Sequence, residues 1–385
     1  MTRSLDVAVL GMGVGGLAAA AMLGRRGHRV VMYDRMSAPG PVGSGFVLQP
    51  TGLEVMRRMG LHEAVAERGA TVTRMLGKVQ PSGRTVLDVG YRDGNSAIAI
   101  QRRALFDLLY DAAVNAGAAV ETSSEVVGVE SGPRPRPIFA DGRMGPTCDL
   151  VIDAMGCRSP TSDRSRQIGY GALWATVPWD PACGFDAHTL EQRYRRATNM
   201  AGVLPVGTAA AGERPMATVF WSIRHGDDAA DWRDRAVELW PEIAPLVTAA
   251  EPTLAAYRHH TRRAIASPGV VRIGDAWHAT SPQLGQGANM ALLDALSLSS
   301  AIGTGCDVDG ALTLHVRRRR LHVAFYQALS YVLTPFYQSD GRMLPAMRDG
   351  LVAPLLRREG IVHAMISSMV SGGMLDPLGA MDRRT

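Results

Sequence analysis

A chain of 385 residues, 46% apolar and 20% charged, has room for two or three domains around a substantial core. Its net charge of +5 comes almost wholly from arginine, with Lys78 the sole lysine, which reads as GC-rich bacterial coding and not as nucleic-acid binding. Four cysteines without metal-type spacing, no secretory signal pattern and no apolar run of about 18 residues argue against a disulfide scaffold, a metal site and a transmembrane segment, and predict a cytoplasmic enzyme with reduced thiols.

Residues 5–10 predict a short buried strand, 11–16 a turn, and the Ala-rich stretch 17–26 a helix closed by Gly27. Residues 29–33 predict a second strand ending at Asp34, and parallel strands need the intervening helix as crossover. In that setting Gly11, Gly13 and Gly16 fit G-x-G-x-x-G, with Val14 and Gly15 completing the loop. The first glycine permits the tight turn, the second lets a pyrophosphate approach the backbone, and the third lets helix and strand pack closely. Asp34, 23 residues after Gly11, stands where a carboxylate can bond ribose hydroxyls. This fingerprint predicts dinucleotide binding and does not separate FAD from NAD.

Further on, 51–59 and 101–117 read as helices, 72–87 as strand-rich sheet, 119–129 as a strand pair and 150–154 as a strand. From 169 to 262 short strands (171–177, 216–223) and one helix (231–239) predict a substrate-side domain. Residues 270–273 form a strand running into Gly274-Asp275, and Gly285 and Gly287 precede an apolar helix whose free N–H groups can face an anion. Two glycine loops more than 250 residues apart, each opening a helix, predict one long cofactor held at both ends. A long helix is expected at 312–328, with Arg317-Arg318-Arg319-Arg320 as a solvated face, and a helical, Met-rich segment after Pro335.

The set formed by Gly11-x-Gly13-x-x-Gly16, the Arg-x-x-Leu start at Arg102, and Gly274-Asp275 through Pro282 and Gly285-Gln286-Gly287-Ala288-Asn289 to Asp294-Ala295 resembles the class A flavoprotein monooxygenases, the para-hydroxybenzoate hydroxylase-like group, over roughly residues 1–330. The resemblance implies bound FAD, reduction by NADPH or NADH, and insertion of one oxygen atom of O2 into an aromatic or heteroaromatic substrate through a flavin C4a-hydroperoxide. By position, Asp275 resembles the acid on the ribityl chain of FAD. Gly287, Ala288 and Asn289, with Gly285 ahead of them, resemble the backbone at the flavin pyrimidine edge, and Pro282 the residue beside C4a. Arg102 resembles the helix-start arginine that contacts FAD, and Val126 the strand residue against adenine. Arg35 and Ser44 are candidates for the adenosine and pyrophosphate.

The expected fold is α/β: a Rossmann-like FAD-binding domain (1–70, 101–160 and 264–330), an inserted β-sheet substrate domain (71–100 and 161–263) and a helical C-terminal segment (331–385). His278, inside the flavin loop, is the first candidate for a general base, ahead of His225, His259 and His260. Trp174 and Trp221 are candidates for the substrate pocket; no metal is expected, and the C-terminal segment is one candidate homodimer face. The chain departs from the family at Met155, where many members carry the aspartate of Ala-Asp-Gly; Asp153 lies two positions earlier on the same side of the strand. That departure resembles flavin halogenases and other tailoring enzymes fed by a separate reductase, and also leaves open a flavin-bound partner without turnover. A halogenase needs a lysine near the flavin, and Lys78 reads instead as a surface strand residue.

Overall fold

The structure is a computed structural model that describes residues 3–40, 44–91, 94–161, 166–210, 212–248, 250–353 and 361–382, so part of the C-terminal segment lies outside the described residues. Five of the six strands in the first sheet are parallel, in the spatial order Val270–Arg272, Leu150–Asp153, Asp6–Leu10, Arg29–Tyr33, Ala119–Glu121, with Ile265–Ser267 antiparallel at the edge. The helix Val14–Gly24 is apolar on nearly every side because it is enclosed between this sheet and the helices Arg102–Asn115 and Gly287–Ile302. Its run of alanines permits that close approach. A Cβ on Gly24 would stand 2.6 Å from the Ala116 carbonyl oxygen.

The second sheet has seven strands, and their alternation sorts side chains to two faces. Leu173, Ala175, Val203 and Val219 pack under the helix Trp232–Leu239 and the turns after it. Trp221 belongs to this face, 1% exposed, in one cluster with Trp232 and Trp240. The expectation that it lines a substrate pocket is therefore corrected: its neighbour Phe220 takes the opposite face, where it meets Trp174 at 4.6 Å between ring centroids. Gly202 makes room for Phe220, whose ring atoms lie 2.0–2.6 Å from where a Cβ on that glycine would be.

The long helix runs from Val308 to Tyr337, well beyond the expected 312–328 and unbroken across residue 330. Asp307 starts it, its side chain accepting from the Gly310 N–H at 2.8 Å. Pro335 lies inside but only in the last turn, where a missing N–H costs a single ladder bond. Ser330 and Thr334 hydroxyls, 2.8 and 2.6 Å from the Ser281 hydroxyl, hold that turn against the second glycine loop. The C-terminal segment is tied to the same region. Tyr326 donates to the Met369 carbonyl at 2.9 Å, and Gln286 to the Val370 carbonyl at 2.6 Å.

Candidate functional site

A cleft of about 700 Å³ runs between the two glycine loops, within the usual range for a cofactor site. At one end Gly11 has φ +98°, and a Cβ there would lie 2.7 Å from the Ala154 carbonyl oxygen. A Cβ on Gly16 would meet the Gly11 carbonyl oxygen at 2.0 Å. Gly13 is different: it borders the cleft, and a Cβ on it would touch nothing within 4 Å. These are the separate duties of turn, packing and ligand approach expected of the three glycines. Gly15 joins the two loops, since a Cβ there would stand 3.3 Å from Ala291 on the second helix. Neither helix carries an acid in its first turn, so both positive helix ends stay available to an anion.

Asp34 accepts from the Met12 N–H at 2.8 Å and the Met36 N–H at 3.0 Å, one bond per carboxylate oxygen, which leaves lone pairs facing the cleft. Arg35 and Val126 line the same end. Ser44 does not line the cleft; its carbonyl accepts from Arg102 Nε at 3.4 Å.

At the other end Gly274, with φ +56°, turns the chain into the short helix Asp275–His278. The Asp275 carboxylate and the Arg102 guanidinium both border the cleft. Both side chains are open to the cleft, but the protein packed around it still pushes the Asp275 carboxyl up, and His278 and Arg102 pull it back down. The same enclosure lowers the Arg102 pKa against the pull of Asp275. Pro282, Gly285, Gly287 and Ala288 line this end. Asn289 does not; its carboxamide is fully buried and spent, accepting from Gln49 N–H at 2.9 Å and donating to Gly285 and Val47 carbonyls at 3.0 and 3.3 Å. It is a positioning residue that locks the second loop to the strand Phe46–Leu48.

His278 is also corrected. Its side chain is 1% exposed and outside the cleft lining, with Nε2 2.6 Å from Asp294. Asp294 also accepts from Gly274 N–H at 2.9 Å and Arg319 Nε at 2.8 Å. Burial alone would raise its carboxyl, but His278 and Arg319 outweigh burial and hold it well below the carboxylate range. Arg319 is thus turned inward from the arginine run, because the helix face it occupies meets a buried acid. His322 accepts from Arg319 at 3.0 Å and donates to the Gly372 carbonyl at 3.0 Å, an arrangement that requires the neutral ring.

Burial, then Arg319, lowers the His322 pKa to about 3, and burial lowers that of His315 to about 4. The unfolded chain, near the ordinary 6.5, takes up protons first. This stabilisation is therefore complete above pH 6.5 and lost as pH falls toward 4, at up to about 1.4 kcal/mol per unit per histidine. The melting temperature is expected to drop between about pH 7 and about pH 5, and a flat profile would contradict this assignment.

Met155 lines the cleft, whereas Asp153 is fully buried and accepts from Met155 N–H (3.1 Å), Ser159 (2.6 Å) and Thr161. Asp153 is thereby committed and does not replace the acid missing at 155. Tyr257, which the sequence groups with His259 and His260 as structural or solvent-facing, lines the cleft, and its hydroxyl accepts from Trp174 Nε1 at 2.8 Å. Alternation along a strand of uncertain register was its only signal. Trp174 thus stands behind Tyr257 and beside Phe220.

Two helix starts, with Asp34 at one end and Asp275 and Arg102 at the other, border one cleft, and these residues fit FAD, whose diphosphate the Gly11–Gly13 backbone would hold and whose polyol Asp275 would meet. A family model described as FAD binding domain matches residues 4–307. The 3-amino-4-hydroxybenzoate 2-monooxygenase of Streptomyces cremeus is 30% identical over 322 residues, covering 77% of this chain and 78% of that protein. The 3-hydroxybenzoate 6-hydroxylase 1 of Aquipseudomonas alcaligenes is 26% identical over 384 residues, covering 90% and 93%. The crystal structure of Klebsiella pneumoniae HpxO complexed with FAD and uric acid shares the fold, with a TM-score of 0.81 at 18% identity over 96% of this chain and 98% of that one. Fold, cleft chemistry and family match agree that this chain belongs to the class A FAD-dependent monooxygenases.

Proposed function

We propose that the protein inserts one oxygen atom of O2 into a hydroxylated aromatic or heteroaromatic ring, using FAD and NAD(P)H. The observation that carries this reading is that Tyr257 lines the same cleft as Asp275 and Pro282, with Trp174 bonded to its hydroxyl from behind. FAD, when bound, supplies the reducible ring that activates O2. The chain does the rest. Backbone N–H groups at Gly287 and Ala288, at a helix start bordering the cleft, would stabilise negative charge on that ring. Tyr257, whose phenol is driven up by burial, stays protonated and orients a substrate oxygen as a donor. Tyr257, packed in place by Trp174, would border a planar substrate and help to exclude water. Lys78, which a halogenase reading needs, is not among the residues lining the cleft.

The purified protein is expected to be yellow, to bleach anaerobically with NADPH or NADH faster when a phenol is present, and to give a product heavier by one oxygen from labelled O2. Turnover only with separately reduced flavin would overturn the self-reducing reading. We infer a cytoplasmic location from the four free cysteines. A homodimer is supported by exposed Leu321, Tyr331 and Val332 along the long helix, and light scattering checks it.

A further inference from the structure

Gln49 sits between the strand Phe46–Leu48 and the helix Pro50–Arg58 and is fully buried. Two neighbours, Asn289 and Tyr91, hold it. Its backbone N–H donates to Asn289 Oδ1 at 2.9 Å. The same Asn289 amide bonds the Gly285 carbonyl, so Gln49 is tied to the loop at the flavin-ring end. Its side-chain oxygen accepts from the Tyr91 hydroxyl at 2.5 Å. Burial raises the Tyr91 pKa, so the phenol keeps its proton and remains the donor.

The amide nitrogen of Gln49 is then directed away from Tyr91 and has no partner among the described residues. It lies 3.7 Å from where a Cβ on Gly285 would be, and Gly285 borders the cleft. Buried NH2 groups are nearly always paired, because desolvation without a new bond is unfavourable. A donor clamped in place by two neighbours and left open beside the cofactor cleft is half of a contact whose acceptor arrives with the ligand.

We propose that Gln49 Nε2 donates to a carbonyl oxygen of the flavin pyrimidine ring, with Tyr91 as the positioning residue that sets its direction. This rests on the reading of the cleft as the FAD site. The test uses the full chain stripped of FAD and titrated with FAD alone. Gln49→Met, similar in length but without a donor, is expected to weaken FAD binding about tenfold and to lower the flavin midpoint potential, since a donor to the ring carbonyl favours the reduced, more negative ring. Tyr91→Phe keeps the donor and loosens its aim, so its loss is expected to be smaller. Gln49→Met also removes the acceptor of the Tyr91 hydroxyl, so its FAD-free melting temperature is expected to fall no further than that of Tyr91→Phe, which lacks the same bond. Wild-type affinity and potential in Gln49→Met overturn the proposal, as does a loss confined to FAD-free stability. Wild-type protein that holds FAD but oxygenates no phenol would sink the monooxygenase reading and leave this comparison intact.

Discussion

Asp294→Ala is expected to destabilise the protein by about 3–5 kcal/mol, because it leaves a buried guanidinium without its counter-charge. Arg319 and Asp294 are both 0% exposed, 2.8 Å apart. Without the carboxylate, Arg319 keeps, among the described residues, His322 at 3.0 Å and the Met290 carbonyl at 3.4 Å. The Gly274 N–H also loses its acceptor, and Gly274 is the turn that presents Asp275 to the cleft. FAD affinity is therefore expected to fall together with stability. Asp294→Asn retains an acceptor for the loop but no charge, so it should recover part of the FAD binding and little of the stability. Urea unfolding and FAD titration measure the two effects separately. A loss below about 1 kcal/mol in Asp294→Ala would mean that the cluster is not a coupled charge network.

Gly13→Val should abolish FAD binding while leaving the FAD-free fold intact. Gly13 has φ −79° and ψ −177°, a conformation open to a β-branched residue, and a Cβ there meets nothing within 4 Å. The new methyl groups would occupy the space where pyrophosphate must approach the backbone. A loss of about 100-fold or more in FAD affinity, about 3 kcal/mol, is expected with an unchanged FAD-free melting temperature. Gly16→Ala should behave in the opposite order. Its Cβ would sit 2.0 Å from the Gly11 carbonyl oxygen, so the FAD-free protein itself should melt lower, as overpacked sites do. Equal behaviour of the two variants would refute the division of labour between these glycines.

The sequence was most legible where one backbone conformation dictates the residue. Gly11, Gly13 and Gly16 sit between a strand and a helix at a fixed spacing, and both the loop and its ligand class follow from that local order. The same holds for Gly274-Asp275 and Gly287, where a positive φ or a free helix start leaves few alternatives. It was least legible where identity is shared between roles. His278 lies inside the glycine loop in sequence, yet its ring turns inward to Asp294, 16 residues away on the next helix. Trp174 and Trp221 read alike as aromatic strand residues, but strand register sends one to the face behind Tyr257 and the other under a helix. Asp153 was on the expected side of its strand, yet Ser159 and Thr161 hold it there.

The sequence by itself determined the α/β class and dinucleotide binding, which depend on short-range backbone geometry that glycines and an adjacent acid encode within a few residues, while FAD and the oxygenase chemistry were implied by its resemblance to the class A monooxygenases. The tertiary structure alone decided which polar side chains are available to a ligand. Asp34 and Arg102 keep open faces toward the cleft, whereas His278, Asn289 and Asp153 spend theirs on partners brought from distant segments. A buried side chain has few lone pairs and N–H groups, so how many of them nearby partners occupy, and not its place in a motif, settles whether it remains free for function.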